Sequence, residues 1–342
     1  MNEPQDTIER YRRLVLQEEV DCVQGLISTG TALSVAPAAE QERKLLIMWD
    51  GTTQDGVTET MPNPNYVFRS TNNECEAVMG SLLAVKYFEG QFSKIAGINP
   101  DYSYGRNNWA AFRAILERYG IEAEVVAEQW PQVGTMDLTS HVAALQGAAP
   151  DLIFSSMLFA DLPIFMRQGN AAGLFEGVKV VLPAAAWQIN QLDKEFMPEG
   201  VIFGHNTLYF AHPQASELQK AFVEDYMSRH NAAPHWEADR AYFALAAYKA
   251  GVEAAHQAVG GWPEQEDIIG AIPGLEVESL GGPARFRDDK VAEQIFYQGL
   301  STNDNEYDFP TLDTIDSFRA EQIQTPPGAD FWEWIETAKM PV

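Results

Sequence analysis

The sequence predicts an α/β fold built on parallel sheets. Short apolar runs of strand length alternate with longer amphipathic runs along most of the 342 residues. Clusters of small polar residues follow several of the apolar runs directly. Strand–helix alternation of this kind is typical of parallel sheets with right-handed crossovers. The length suits two domains of ordinary size or one large domain.

The predicted strands are short apolar runs, and we place them at 20–27, 44–49, 65–70, 94–102, 121–131, 151–158, 178–185 and 199–210. The predicted helices carry apolar residues at helical spacing, as Ile8, Tyr11, Leu14 and Val15 do in the first. They span 7–19, 32–42, 75–90, 105–120, 137–150, 159–173, 213–230 and 235–260. Pro37 is expected to bend or end the second helix. After Pro283 the alternation weakens to paired strands within 284–299 and a C-terminal helix within 325–340.

The amino-acid composition argues against several classes of binding partner. Hydrophobic residues make up 46% of the chain, and 49 acidic against 23 basic residues give a net charge of −26. That balance argues against nucleic acid and against an anionic membrane surface as partners. No apolar run reaches about 18 residues, so the sequence predicts no membrane insertion, and the polar start "MNEPQDTIERYRRLV" has no secretory h-region.

The sequence shows no catalytic or metal-binding set, so we predict neither enzyme activity nor a cofactor or metal. Two cysteines, Cys22 and Cys75, are too few for a disulfide framework, and six histidines lack metal spacing. "GLIST" does not match the G-x-S-x-G nucleophile elbow.

The stretch "GLISTGTALSVAP" places Ser28, Thr29, Gly30 and Thr31 where a strand gives way to a helix. One reading is helix capping, because serine and threonine oxygens satisfy the free N–H groups of a first turn. The other is a ligand site, because the same N–H groups hold carboxylates or anions. Neither a P-loop nor a dinucleotide fingerprint is present.

Similar polar or aromatic stretches follow other strands, and carboxyl ends of parallel strands are where such folds bind ligands. They read "WDGTT" (49–53), "NPDYSYG" (99–105), "SSMLF" (155–159), "PAAAW" (183–187) and "HNTLYF" (205–210).

Three stretches, "VDCVQGLISTGTALSVAPAAEQERKLLI", "YVFRSTNNE" and "DYSYGRNNWAAF", resemble the type I periplasmic binding proteins. The leucine/isoleucine/valine receptors of ABC importers are the most similar group, from near residue 4 to about residue 300. The resemblance implies two doubly wound parallel-sheet lobes joined by a three-crossover hinge. It places lobe I at 1–72 and 251–289, and lobe II at 73–250 and 290–342. Family members begin with a strand, a helix and a second strand that have no counterpart here, so lobe I is expected to be incomplete at its N-terminus, with an apolar groove beside "VDCVQGLI".

The resemblance also implies the site residues. In lobe I, Thr29 and the adjacent Ser28 would receive the ligand carboxylate, and Thr52 would add a hydroxyl beside the backbone N–H of Gly51. Asp50 has two readings, a turn cap or a carboxylate facing a ligand ammonium or amide.

In lobe II, the resemblance points to Tyr102, Leu158, Phe159 and Tyr209 as an apolar lid, with Tyr104 beside Tyr102 and Trp187 as a weaker candidate.

The implied function is the solute-binding component of an ABC import system, which traps an amino acid, amide or related organic acid between two lobes. The implied partner is a membrane permease, and the implied location is the periplasm. The alternative is a cytoplasmic small-molecule sensor of the amide-regulator type on the same fold, because the chain shows no signal peptide.

Overall fold

The computed structural model describes residues 4–50, 60, 63–70 and 74–341, and it has the predicted mixed α/β architecture. The helices are α1 (Pro4–Leu16), α2 (Thr29–Glu42), α3 (Glu74–Phe88), α4 (Ser103–Arg118), α5 (Thr139–Ala148), α6 (Asp161–Ala171), α7 (Glu217–His230), α8 (Trp236–Val259), α9 (Gln265–Ala271), α10 (Ala320–Ile323) and α11 (Phe331–Thr337). A 3₁₀ helix spans Ala185–Gln191.

The strands alternate with these helices in the first two thirds of the chain and cluster in the last third. They are β1 (Val23–Gly25), β2 (Leu46–Met48), β3 (Val67–Arg69), β4 (Lys94–Ile98), β5 (Glu124–Gln129), β6 (Leu152–Phe154), β7 (Lys179–Leu182), β8 (Ile202–Asn206), β9 (Val277–Ser279), β10 (Gly282–Phe286), β11 (Ala292–Glu293), β12 (Ile295–Thr302), β13 (Thr311–Leu312) and β14 (Asp316–Arg319).

The chain forms two compact units. The first comprises Met1–Asn73, Ala215–Phe222 and Glu237–Ile295, and the second comprises Glu74–Gln214, Val223–Trp236 and Phe296–Val342. The lobe boundaries implied by the resemblance stay a prediction, and the two divisions differ mainly at 237–250. That stretch of α8 packs in the first unit because Phe243, Ala244 and Ala247 join the apolar cluster of Ile47 and Phe68.

The first unit is built on a parallel three-stranded sheet in the order β1-β2-β3. Apolar residues of α1 and α2 cover one face, among them Tyr11, Val35 and Ala39. Phe243 of α8 and Phe286 of β10 belong to the cluster on the other face. Among the described residues β1 pairs with β2 alone, and the incompleteness of this lobe stays a prediction.

The second unit is built on an eight-stranded sheet in the order β13-β12-β8-β7-β6-β4-β5, with β14 also paired to β12. Strands β4 to β8 run parallel, and β12 joins β8 antiparallel. Because β5 and β6 lie on opposite sides of β4, the chain reverses its winding there, and such a point is where doubly wound sheets bind ligands.

Three predicted elements differ from those observed. The run at 20–27 forms a strand only at Val23–Gly25. Positive φ angles at Gly25 and Leu26 (140° and 68°) take the backbone out of the extended conformation, so the strand ends there. In the run at 199–210, the strand ends at Asn206, where a φ of 49° interrupts the extended backbone. The second helix begins at Thr29, three residues before its predicted start, and Pro37 does not end it, because the helix continues to Glu42 as predicted.

No helix in the described part of the chain has the length and apolar character needed to cross a membrane. In the same residues, no group of three or more histidine, cysteine or acidic side chains is arranged to hold a metal ion.

Candidate functional site

The turn after β1 presents the first predicted hydroxyls. Ser28 occupies the N-cap position of α2 with extended backbone angles, yet its side chain makes no capping hydrogen bond. Its carbonyl oxygen instead accepts from the Ala32 N–H (2.9 Å) and the Thr31 hydroxyl (3.0 Å). Thr29 is buried. The capping reading therefore has no support from the Ser28 hydroxyl, which lies at the positive end of a helix of 14 residues.

Asp50 follows β2 and lies beside this turn, because its N–H donates to the Leu26 carbonyl (3.1 Å). The carboxylate is buried and forms an ion pair with Arg240 of α8, whose side chain is fully buried. Glu237 lies 3.8 Å from the same guanidinium. The charge of Asp50 is thus balanced within its own unit. Gly51 and Thr52, predicted beside it, lie outside the described residues.

In the second unit, Asn99 ties together the loops after β4 and β6. Its side-chain oxygen accepts from both the N–H (2.8 Å) and the hydroxyl (2.7 Å) of Ser156. Asn99 is fully buried, and its amide nitrogen has no hydrogen-bond partner among the described residues. This bridge lies at the winding reversal of the sheet, so it fixes the two loops that carry Tyr102 and Phe159.

Tyr102 begins α4 as its N-cap residue. Its half-buried ring stacks on Tyr104, with centroids 5.9 Å apart and planes at 27°. Tyr104 is buried and its hydroxyl donates to the Glu76 carboxylate (3.2 Å) at the start of α3. Two aromatic rings and one acidic group therefore lie together at the end of β4.

The loop after β6 carries Leu158, which is buried, and Phe159, which is half-buried with a φ of 57°. The centroid of the Phe159 ring lies 5.1 Å from that of the Trp187 ring, and Trp187 follows β7. Trp187 in turn contacts His235 (6.1 Å) and Trp236 (5.8 Å). We call Phe159, Trp187, His235 and Trp236 the tryptophan cluster.

Tyr209 follows β8 and is packed as a core residue, with 3% of its surface exposed. Its hydroxyl oxygen accepts from the Leu312 N–H (3.1 Å), and burial raises its pKa. Its ring lies 4.4 Å from His205. Burial lowers the pKa of His205 to about 3, and its Nε2 atom has no hydrogen-bond partner in the described part of the chain. A ligand contact of Tyr209 stays a prediction.

The structure thus places Ser28 and Thr29 after β1 and Asp50 after the neighbouring β2 in the first unit. In the second unit, Tyr102 follows β4, Leu158 and Phe159 follow β6, and Tyr209 follows β8 of one sheet. Sequence reasoning missed Asn99, Glu76 and Arg240. Asn99 carried a usable signal, since it follows β4 directly in "NPDYSYG".

A cavity of about 420 Å³ lies elsewhere in the second unit, between the end of α4 and β5. It is lined by Ile95, Leu116 and Ile121 and by the charged Arg113 and Glu117. None of the predicted site residues contributes to it.

Comparison with known proteins identifies the relatives of this architecture. A family model described as periplasmic binding protein matches residues 1–300. No curated protein sequence matches the chain.

Several solved structures are similar. A solute-binding protein of an ABC transporter from Rhodopseudomonas palustris BisB5, in complex with 3,4-dihydroxybenzoic acid, is 23% identical, with a TM-score of 0.78 over 93% of this chain and 84% of that one. A second R. palustris solute-binding protein, in complex with 4-hydroxybenzoate, is 21% identical, with a TM-score of 0.74 over 92% and 83%. An ABC-type branched-chain amino acid transporter protein from R. palustris CGA009 is 21% identical, with a TM-score of 0.68 over 96% and 85%. The predicted family and two-lobe fold class are confirmed.

Proposed function

Because the chain belongs to the periplasmic binding protein family, we propose that it is the solute-binding component of an ABC import system. The observation that carries this proposal is the family match over residues 1–300. The strand-end loops of the second unit support it, since Asn99 and Ser156 hold two of them in a fixed arrangement. The protein acts by binding and release in the periplasm, and a membrane permease receives the ligand.

The ligand we propose is a small carboxylate with an apolar or aromatic body. The tryptophan cluster supports the aromatic part, because aromatic side chains favour stacked and edge-on contacts with rings. The α2 N-terminus supports the carboxylate, because its first N–H groups and the Ser28 hydroxyl, which makes no capping hydrogen bond, are suited to an anion. Two similar solute-binding proteins are in complex with 3,4-dihydroxybenzoic acid and 4-hydroxybenzoate.

A ligand screen tests the proposal. Benzoate, 4-hydroxybenzoate, 3,4-dihydroxybenzoate and leucine are each added to the purified chain, and the melting temperature and the heat of binding are recorded. A bound ligand at 100 times its Kd stabilises the folded state by about 2.7 kcal/mol. We expect at least one aromatic acid to raise the melting temperature and to titrate with a stoichiometry of one.

Acetamide and urea form a separate arm of the screen. Binding of these amides with no response to any carboxylate would favour the sensor alternative over the importer. Conversion of a bound compound into a product would contradict a role limited to binding.

A further inference from the structure

Gln298 lies on β12 at the point where its pairing with β8 shifts register, between Tyr297 and Gln298. Its side chain is fully buried. The amide nitrogen Nε2 lies 3.0 Å from the Glu76 carbonyl, 3.5 Å from the Pro183 carbonyl and 3.4 Å from the Asn206 side-chain oxygen. The two N–H groups of this amide therefore face acceptors on three separate segments of the second unit, and the Glu76 carbonyl is the nearest of the three.

Two glycines make this arrangement possible. A Cβ atom at Gly204 would lie 1.8 Å from the Pro183 carbonyl oxygen, so only glycine lets the turn after β7 pack on β8. A Cβ atom at Gly80 of α3 would lie 3.2 Å from both Gln298 Oε1 and Pro183 Cβ. The space around the Gln298 amide is thus bounded closely by the segments it joins.

Each of the three segments leads to a predicted ligand loop. Glu76 accepts the Tyr104 hydroxyl, and Tyr104 stacks on Tyr102. Pro183 precedes the 3₁₀ helix that carries Trp187. Asn206 ends β8, three residues before Tyr209.

We infer that Gln298 is a positioning residue that holds the ligand loops of the second unit in their binding arrangement. The assignment of these loops to ligand binding rests on the proposed function. The physical effect is independent of any ligand, because removal of the amide takes a buried donor away from the acceptors of all three segments. Those segments should then open more often than the rest of the sheet.

The test compares Gln298→Met, which keeps an unbranched side chain and removes the donor, with Ser301→Ala on the same strand. Ser301 is buried and its hydroxyl accepts from the Val201 N–H (3.0 Å) at the opposite end of β8. Amide hydrogen exchange is measured on each full-length variant without ligand. Loss of one buried hydrogen bond should speed local exchange about tenfold. We expect this in segments 76–80, 102–105 and 184–191 for Gln298→Met, and near Val201 for Ser301→Ala.

Gly80→Ala is a second variant, for use if Gln298→Met does not fold. This variant keeps the Gln298 amide, but the added methyl group crowds the amide oxygen. Alanine is favourable in the interior of a helix. We expect faster exchange in 184–191 with the melting temperature maintained. Unchanged exchange in these segments, or an increase spread evenly over the second unit, would overturn the inference.

Titration of wild type and Gln298→Met with 4-hydroxybenzoate separates the two proposals. We expect about tenfold weaker binding per folded molecule for Gln298→Met, and unchanged binding for Ser301→Ala. If the wild type binds no compound of the screen but loop exchange rises as expected, the ligand proposal fails and the positioning role stands.

Discussion

At the scale of single residues, the Asp50–Arg240 pair distinguishes a structural from a ligand-binding carboxylate. Both side chains are buried, and removal of one partner from a buried pair costs about 3–5 kcal/mol when the other charge stays uncompensated. Glu237, 3.8 Å from the same guanidinium, compensates part of the Arg240 charge, so the lower end of this range applies. We therefore expect Asp50→Asn to lower the free energy of unfolding by roughly 3 kcal/mol, as measured by urea denaturation.

The matched control is Asp101→Asn, since Asp101 pairs with Arg106 on the surface. Exposed pairs contribute about 0–1 kcal/mol, so this variant should unfold almost as the wild type does. If Asp50→Asn keeps full stability and loses ligand affinity, Asp50 instead faces the ligand.

His205 makes stability depend on pH. Burial lowers its folded-state pKa to about 3, whereas the unfolded chain titrates near 6.5, so the unfolded state binds more protons between these values. Stability is therefore full above pH 6.5 and falls as the pH drops toward 3. The expected loss between pH 7.5 and pH 5 is about 2 kcal/mol.

The measurement is urea unfolding of wild type and His205→Phe at both pH values. Phenylalanine suits a site already lined by Phe203 and Phe210. The variant should lose about 2 kcal/mol less than the wild type over this interval. Equal losses in the two proteins would show that other groups cause the pH dependence.

At the scale of elements, the start of α2 tests whether its hydroxyls cap the helix. Ser28 makes no capping hydrogen bond, so Ser28→Ala should change stability by less than about 0.5 kcal/mol. Asp330→Ala is the matched control, because the Asp330 carboxylate accepts from the Trp332 and Glu333 N–H groups at the start of α11 (2.8 and 3.0 Å). That variant should lose about 1 kcal/mol.

Ligand affinity completes the comparison. If Ser28 receives the ligand carboxylate, Ser28→Ala should weaken binding about tenfold, and Asp330→Ala should leave binding unchanged. A fall in melting temperature with an unchanged Kd for Ser28→Ala would restore the capping reading.

At the scale of the whole molecule, local patterns predicted the elements but not the contacts between distant ones. The alternation of apolar and amphipathic runs identified the parallel sheets, and the polar stretches after strands identified candidate loops. The Asn99–Ser156 bridge joins residues 57 apart, and Gln298 lies 222 residues from Glu76. Such partners depend on strand order, which local periodicity does not encode. The short β1 also escaped prediction, because the positive φ of Leu26 has no signal in an apolar side chain.

The net charge of −26 carries a prediction for the whole chain. Acidic residues outnumber basic ones by about two to one. The carboxylates are closer together in the folded state than in the unfolded chain, so their mutual repulsion destabilises the folded state. Salt shortens the Debye length from about 30 Å at 0.01 M to about 8 Å at 0.15 M, and this removes most of the repulsion between distant carboxylates. Exposed ion pairs such as Lys249–Glu253 weaken as well, but each contributes at most about 1 kcal/mol.

Repulsion should therefore dominate, and the melting temperature should rise when sodium chloride increases from 0.01 to about 0.15 M at pH 7.5. Potassium chloride is the control, because screening depends on ionic strength and not on the identity of the cation. A larger rise with one of the two salts would indicate specific ion binding. A fall in melting temperature with both salts would mean that attractive ion pairs outweigh the repulsion between the excess carboxylates.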